Sequence, residues 1–153
     1  MHDQVRYHIY EGVLNTERYM VILETVVTEF IDNLPLARRD CWYQLDGAPP
    51  HCGNVINQKL YEMFEDRWIR RLGPWNWPPR SPDLTPLDFY LWGTIKQRIY
   101  STPVDSVEEL VARIRRTIDQ LDPAEIASAT TEAVMSNIQK CLRVNGGHIE
   151  HLD

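Results

Sequence analysis

Residues 41–51 read CWYQLDGAPPH and residues 77–92 read WPPRSPDLTPLDFYLW, and these two stretches decide the fold. Each stretch carries one carboxylate at an expected boundary between elements. Asp46 ends a short run with the period of two that is typical of a strand. Asp88 opens a run whose apolar residues recur at helical spacing. The two motifs therefore predict one carboxylate at a strand end and another in the first turn of a helix.

The first motif predicts a strand over residues 41–46 that is followed directly by a turn. On a pleat, one face of this strand carries Trp42, Gln44 and Asp46, and the other carries the more apolar set. Gly47 permits a sharp change of direction, and two consecutive prolines cannot continue a hydrogen-bonded ladder. The carboxylate of Asp46 is therefore expected at the tip of the strand.

The remaining sequence predicts alternating strands and helices in the first half and helices alone in the second half. Proline and glycine punctuate the chain between these elements. The predicted elements are a strand at 4–10, a helix from Asn15 or Thr16 to Pro35, the strand 41–46, a helix at 53–64, a strand at 67–71, and helices that begin at Thr85 or Pro86, after Asp105, and at Asp122-Pro123 with an end near Arg143.

Length and composition predict a single domain over residues 1–145 and a short tail over 146–153. The chain has 153 residues, of which 43% are hydrophobic and 25% charged, as in ordinary globular proteins. Three cysteines without a CxxC spacing argue against a disulfide framework and a zinc knuckle. The sequence has no apolar run long enough for a membrane span, so no membrane partner is expected.

One segment of this acidic chain is basic. The whole chain has a net charge of −6, whereas residues 67–100 contain six basic and two acidic side chains, a net charge of +4. This segment includes the second motif, so phosphate groups are expected to approach there. The predicted nucleic-acid-binding residues are Arg70, Arg71, Arg80 and Lys96. A solvated, arginine-rich surface without a ligand is the competing interpretation.

Each motif residue also has a purely structural interpretation. Asp88 in a first helical turn stabilises the helix dipole, and Asp46 before Gly47 is typical of a turn. Asp83, in the same stretch as Asp88, is interpreted as a loop residue. His51 has three open roles: to orient a carboxylate, to contact phosphate, or to form a hydrogen bond within its own loop.

Taken together, the motifs resemble the catalytic domain of Tc1/mariner-type transposases. DGAPPH, RSPDL and PLDFYLWG occur in the order found in that family, and GVLN before the first helix and DRWIRR between the motifs are also similar to it. The resemblance covers nearly the whole chain. It implies an α/β, ribonuclease H-like mixed sheet flanked by helices, with the first two strands missing and a helical C-terminal half.

The resemblance also implies a chemistry for the two motif carboxylates. In the family, carboxylates hold two Mg²⁺ or Mn²⁺ ions that promote phosphoryl transfer on DNA. By position, Asp46 and Asp88 correspond to the second and third catalytic, metal-binding aspartates. Nothing in the sequence matches the first aspartate. At most one ion, bound weakly, is therefore expected, and the two carboxylates are expected to face one cleft with Asp83 directed elsewhere.

Three functions follow from the resemblance. The first is a nuclear remnant or fragment of a DNA transposase that is inactive alone because its first catalytic aspartate is absent. The second is a partial gene product of an active, metal-dependent cut-and-paste transposase that binds transposon ends. The third is a domesticated module that binds other proteins. DNA is the expected partner of the first two, and the resemblance leaves a homodimer open.

Overall fold

The structure is a computed structural model that describes residues 5–78, 81–147 and 149. Contacts between residues divide the chain into two compact units. One comprises Tyr7–Pro79 and is called the Asp46 unit. The other comprises Met1–Arg6 with Arg80–Asp153 and is called the Asp88 unit. Each unit therefore contains one of the two motif carboxylates.

The Asp46 unit is a small parallel sheet packed against helices. Its helices are α1 (Thr16–Ile22), α2 (Thr28–Asp32) and α3 (Asn54–Phe64), and its strands are β1 (Tyr43–Gln44), β2 (Trp68–Arg70) and β3 (Trp75–Asn76). A π-helical turn, Leu23–Val27, joins α1 to α2, and 3₁₀ turns occupy Leu36–Arg38 and Pro49–His51. Among the described residues the strand order is β1-β2-β3, and both pairs are parallel.

The core of the Asp46 unit lies between β1, β2 and the helices. Leu23, Ile56 and Leu60 are fully buried, and Trp68 is 1% exposed. Burial of such side chains contributes roughly 1.5–3 kcal/mol each, which makes this cluster the main source of stability of the unit. The expected alternation along 41–46 is confirmed, because Leu45 is buried whereas its neighbours Gln44 and Asp46 are exposed.

The first predicted helix begins where the sequence indicates. Asn15 is its N-cap, and the Asn15 side-chain oxygen accepts a hydrogen bond from the Arg18 backbone N–H at 2.9 Å. The helical run ends at Asp32, before Pro35, and includes the π-helical turn Leu23–Val27. The helix from Asn54 to Phe64 and the strand from Trp68 to Arg70 also lie within their predicted ranges.

The Asp88 unit is helical in the described residues. Its helices are α4 (Trp92–Ile99), α5 (Val107–Asp119), α6 (Pro123–Ser128) and α7 (Val134–Arg143). A 3₁₀ turn (Pro82–Leu84) and a π-helical turn (Leu87–Leu91) precede α4, and a second π-helical turn (Ala129–Ala133) joins α6 to α7. Its core lies between α4, α5 and α6 and consists of Leu91, Ile95, Ile99, Ile118, Leu121 and Ile126.

The helix starts in the Asp88 unit follow the predicted capping residues. The Ser106 hydroxyl accepts from the Glu109 N–H at 3.1 Å, and the Asp122 carboxylate accepts from the Ala124 N–H at 2.8 Å. The last helix ends at Arg143, as predicted. The Gly146 N–H then bonds the Cys141 carbonyl at 2.9 Å, which closes the helix end.

The predicted strand at 4–10 is wrong for the described residues 5–10. These residues do not pair with a sheet, and the sheet of the described residues contains only β1, β2 and β3. A period of two shows which side chains share a face, but a strand also needs a neighbour for its backbone groups. Among the tryptophans of this region, Trp68 is buried, whereas Trp75 and Trp92 are about half exposed.

Within the described part of the chain, every helix is too short or too polar to cross a bilayer.

Candidate functional site

Asp46 lies two residues beyond β1, at the carboxyl end of that strand. Its side chain is 61% exposed, so the carboxylate faces solvent. One oxygen, Oδ1, accepts hydrogen bonds from the Ala48 N–H at 3.0 Å and from His51 Nδ1 at 2.6 Å. The carboxylate is thus held at the strand tip through one oxygen, and the predicted location of Asp46 is confirmed.

His51 approaches Asp46 from the 3₁₀ turn Pro49–His51. Its side chain is only 16% exposed, and its ring centroid lies 4.2 Å from that of Tyr19. The hydroxyls of Tyr19 and Tyr43 are 3.1 Å apart. Burial raises the pKa of Tyr19 far above its usual range, and Tyr43 adds to this shift, so both hydroxyls keep their protons.

Arg70 lies inside the Asp46 unit, and its position argues against the predicted contact with DNA. The residue is 3% exposed, and its guanidinium stands 5.6 Å from the centre of the Trp68 ring. Its Nη1 donates a hydrogen bond to the carbonyl of His51. A buried guanidinium cannot meet a phosphate at the surface, so the assignment of Arg70 to nucleic-acid binding is corrected to a structural role in the loop after Asp46.

Asp88 is placed by the π-helical turn Leu87–Leu91. The Asp88 N–H bonds the carbonyl of Thr85 at 2.9 Å, which fixes the start of the turn. π-helical turns are rare in proteins, but those that occur are often found at functional sites. The extra residue redirects side chains that a regular helix would place elsewhere. Asp88 is an exposed residue, which agrees with its predicted position in the first turn.

A cavity of about 350 Å³ lies beside Asp88 in the Asp88 unit. Its lining includes Asp83, Asn137 and Lys140. The Asn137 side-chain amide donates to the Asp83 carbonyl at 2.7 Å, and the Ile149 N–H approaches the Asp83 carboxylate at 3.4 Å. Asp83 and Asp88 thus line the same cavity, and the expectation that Asp46 and Asp88 face one cleft with Asp83 directed elsewhere stays a prediction.

The chemistry of the two carboxylates fits a hard divalent cation. Mg²⁺ and Mn²⁺ prefer oxygen ligands, and Asp46 and Asp88 both present exposed carboxylates. In the described residues there is no cluster of three or more aspartate, glutamate, histidine or cysteine side chains that could hold an ion. Asp46 and Asp88 belong to different units, so their convergence on a single ion stays a prediction.

The other predicted nucleic-acid-binding residues have different outcomes. Arg71 follows β2 directly and is exposed, and Lys96 lies exposed on α4. Both side chains have the accessibility that a phosphate contact requires, and their role stays a prediction. Arg80 lies outside the described residues.

Sequence reasoning missed the residues that support the two carboxylates. Tyr19 and Arg70 reach His51 from α1 and β2, and Asn137 reaches Asp83 from 54 residues along the chain. No local spacing indicates such contacts, because they depend on how distant elements pack. The preference of asparagine for caps and turns would at most have marked Asn137 as unusual within a helix.

Comparison with known proteins supports the resemblance seen in the motifs. No protein-family profile matches the chain. The Tc3 transposase of Caenorhabditis elegans is 27% identical over 88 residues. That match covers 58% of this chain and 24% of the relative, so the chain matches about a quarter of the length of this curated relative.

The fold is similar to that of the catalytic domain of Mos1 mariner transposase. One solved structure of that domain has a TM-score of 0.74 and 18% identity, and covers 91% of this chain and 66% of its own. Structures of the same domain with raltegravir and Mn or Mg have TM-scores of 0.76 and 19% identity. The predicted resemblance to Tc1/mariner catalytic domains and the ribonuclease H-like fold are thereby confirmed.

Proposed function

We propose that this chain is part of a DNA transposase catalytic domain in which Asp46 and Asp88 are carboxylate ligands of a divalent cation. The observation that carries the proposal is the placement of Asp46. Its carboxylate is exposed at the end of a strand, is held by two hydrogen bonds through one oxygen, and stands in a motif typical of Tc1/mariner transposases. A role in forming the turn alone would not require the imidazole of His51.

A bound Mg²⁺ or Mn²⁺ would neutralise part of the charge on the phosphodiester that it contacts. Asp46 and Asp88 would hold the ion and position it against the DNA backbone. Arg71 and Lys96 would attract the phosphates, because both side chains are exposed and carry positive charge. The proposed substrate is DNA, and the proposed location is the nucleus.

The 153 residues by themselves should not cut DNA. The family site needs three carboxylates, and nothing in this sequence matches the first. Two carboxylates bind at most one ion, weakly, whereas in-line attack on a phosphodiester requires charge neutralised on both the entering and the leaving oxygen. This part of the proposal concerns the residues present in the sequence and applies to the chain as purified alone.

A strand-cleavage assay tests the absence of activity. The purified chain and its Asp46→Asn variant are incubated with labelled duplex DNA in Mg²⁺ and in Mn²⁺. We expect neither protein to nick or join DNA above background. Cleavage by the unaltered chain that disappears in Asp46→Asn would overturn the proposal of an inactive fragment and favour an active metal-dependent nuclease.

A titration with Mn²⁺ tests the carboxylates as ligands. Free Mn²⁺ is measured by electron paramagnetic resonance for the unaltered chain, Asp46→Asn and Asp88→Asn. We expect the unaltered chain to bind one ion weakly. Either substitution should lower the Mn²⁺ affinity at least 10-fold. Asp119→Asn is the matched control, because Asp119 is an exposed carboxylate at the end of α5. An equal loss of Mn²⁺ affinity in the Asp46, Asp88 and Asp119 variants would show that the ion is attracted by general surface charge and not bound at a specific site.

Binding of duplex DNA at several salt concentrations tests the basic residues. Arg71→Ala and Lys96→Ala should each weaken binding and lower the slope of log K against log salt by about 1, as the loss of one phosphate contact requires. Arg115→Ala, an exposed arginine on α5, is the control. Slopes that are the same in all variants would exclude phosphate contacts at Arg71 and Lys96.

A further inference from the structure

The loop after Asp46 contains more interactions than its turn requires. The Ala48 N–H alone closes the turn by bonding Asp46 Oδ1 at 3.0 Å, which is the usual role of an aspartate at such a position. His51 Nδ1 reaches the same oxygen at 2.6 Å. A carboxylate only accepts hydrogen bonds, so Nδ1 is the donor. Two donors on Oδ1 restrict how the carboxylate can rotate.

The imidazole is itself held on several sides. Tyr19, which is 6% exposed, packs its ring 4.2 Å from the imidazole at an angle of 42°. The buried guanidinium of Arg70 holds the carbonyl of His51. Tyr19 is tied in turn to Tyr43 through their hydroxyls. Three elements, α1, β1 and β2, thus fix a ring whose Nδ1 points at Asp46.

We propose that His51 is a positioning residue that locks the Asp46 carboxylate in one rotamer, with Oδ1 engaged and Oδ2 presented to a divalent cation. This inference rests on the proposed function in one respect, namely that Asp46 is a metal ligand. Hydrogen bonds from neighbouring groups commonly orient carboxylate ligands, and loss of such a partner typically lowers metal affinity 10–100-fold. The hydrogen bond between His51 and Asp46 fits two of the three roles that the sequence leaves open for His51, namely the orientation of a carboxylate and a hydrogen bond within its own loop.

A pair of substitutions separates the hydrogen bond from the bulk of the side chain. In His51→Asn, the amide nitrogen is attached to Cγ, as Nδ1 is, so the donor stays close to its place. In His51→Leu, a side chain of similar branching offers no donor. Two quantities are measured: the χ1 rotamer of Asp46 from three-bond coupling constants without metal, and Mn²⁺ affinity by electron paramagnetic resonance.

We expect one Asp46 rotamer in the unaltered chain and in His51→Asn, and averaging over rotamers in His51→Leu. Mn²⁺ affinity should fall 10–100-fold in His51→Leu and by no more than about 3-fold in His51→Asn. Tyr19→Phe retains the ring against His51 and removes the hydroxyl contact with Tyr43, so it should leave the Asp46 rotamer unchanged.

The outcomes separate this inference from the proposed function. A single Asp46 rotamer in His51→Leu, or equal averaging in the Asn and Leu variants, would overturn the positioning role. Averaging in His51→Leu alone, together with no Mn²⁺ binding by the unaltered chain, would support the positioning role and refute the metal site. If His51→Leu does not fold, His51→Gln takes its place, because its amide lies one bond farther from Cβ; a rotamer as fixed as in His51→Asn would then overturn the inference.

Discussion

The two motif carboxylates are supported in different ways. In the Asp46 unit, hydrogen bonds from Ala48 and His51 converge directly on the carboxylate, and the histidine is held by aromatic packing and by a buried arginine. In the Asp88 unit, the described contacts support the loop that precedes the carboxylate: Asn137 and Ile149 bond Asp83, five residues before Asp88.

The difference shows that one motif itself contains donors to its carboxylate, whereas the loop of the other motif is contacted by a distant helix. DGAPPH contains both Asp46 and its hydrogen-bond donors within six residues, so the turn brings them together. RSPDLTPLD contains the aspartates but not Asn137, which comes from α7. The hydrogen bonds to Asp46 therefore form within its own turn, whereas the loop before Asp88 should depend on the packing of the C-terminal helix.

The largest expected effect concerns Arg70. Arg70→Ala removes a buried side chain and leaves the His51 carbonyl without its donor, so the free energy of unfolding should fall by about 3 kcal/mol. Arg71→Ala is the matched control, since Arg71 is the next residue and is exposed; it should change stability by less than about 0.5 kcal/mol. Urea denaturation measures both. Similar losses in the two variants would contradict the structural role of Arg70.

The second effect concerns alkaline pH and the buried tyrosines of the Asp46 unit. Burial raises the pKa of Tyr19 and Tyr43 above the unfolded value of 10.0. The stability that they contribute is therefore complete below pH 10 and is lost as pH rises above it. The loss from Tyr19 should be on the order of 1 kcal/mol between pH 9 and pH 11, and Tyr43 should add a loss of the same sign.

Denaturation of the unaltered chain, Tyr19→Phe and Tyr61→Phe at pH 9 and pH 11 checks this prediction. Tyr61 is 47% exposed and serves as the control. Stability should depend less on pH in Tyr19→Phe and remain as pH-dependent as the unaltered chain in Tyr61→Phe. The same slope in all three proteins would mean that Tyr19 ionises in the folded state as readily as in the unfolded one.

The third effect lies in the Asp88 unit. Asn137→Leu deletes the donor to the Asp83 carbonyl, which should lower the free energy of unfolding by about 1 kcal/mol. Gln139→Leu, at an exposed position on the same helix, is the control. Amide hydrogen exchange resolves where the loss occurs, and faster exchange around residues 82–88 is expected only in Asn137→Leu. Unchanged exchange there would show that α7 does not support the loop.

The smallest expected change in stability concerns two residues with positive φ, one in each unit. Leu72 has φ 63° and Asn145 has φ 53°. Leucine is strained in this region, whereas asparagine tolerates it. Leu72→Gly should therefore raise the free energy of unfolding by about 0.5 kcal/mol, and Asn145→Gly should change it less. A loss of stability in Leu72→Gly would indicate that its exposed side chain makes an unrecognised contact.

Local signals in the sequence predicted most helix starts and the position of Asp46. Asn15, Ser106 and Asp122 cap helices as expected, because capping depends on residues only two or three apart. The prediction of a strand at 4–10 was wrong because strand pairing depends on a neighbouring strand that can be far away in the sequence. The burial of Arg70 was also missed, since a basic residue in a basic segment is expected at the surface until β2 places it behind His51.

For the candidate site, as for the fold, local signals predicted the positions of the elements but not the contacts between distant residues. The element boundaries at Asp46 and Asp88 follow from composition and spacing. The contact between His51 and Asp46 could be recognised only from the distance between Nδ1 and Oδ1. The cavity lined by Asp83 and Asp88 also includes residues of α7, which the sequence does not place there. Periodicity also treats a helical run as uniform, so it did not indicate the π-helical turns at Leu23–Val27, Leu87–Leu91 and Ala129–Ala133.

The π-helical turn at Ala129–Ala133 has a consequence for changes in chain length. It accommodates one residue more than an α-helical turn, so deletion of one residue there would leave a continuous regular helix from Pro123 to Arg143. Because the wider turn absorbs the extra residue, the residues after such a deletion would keep their orientation about the helix axis. A deletion in the first turn of the regular helix α7 would instead rotate the rest of that helix by about 100° and would turn Asn137 and Lys140 away from the cavity beside Asp88. The loop before Asp88 should thus tolerate a one-residue deletion in the π-helical turn better than one in α7.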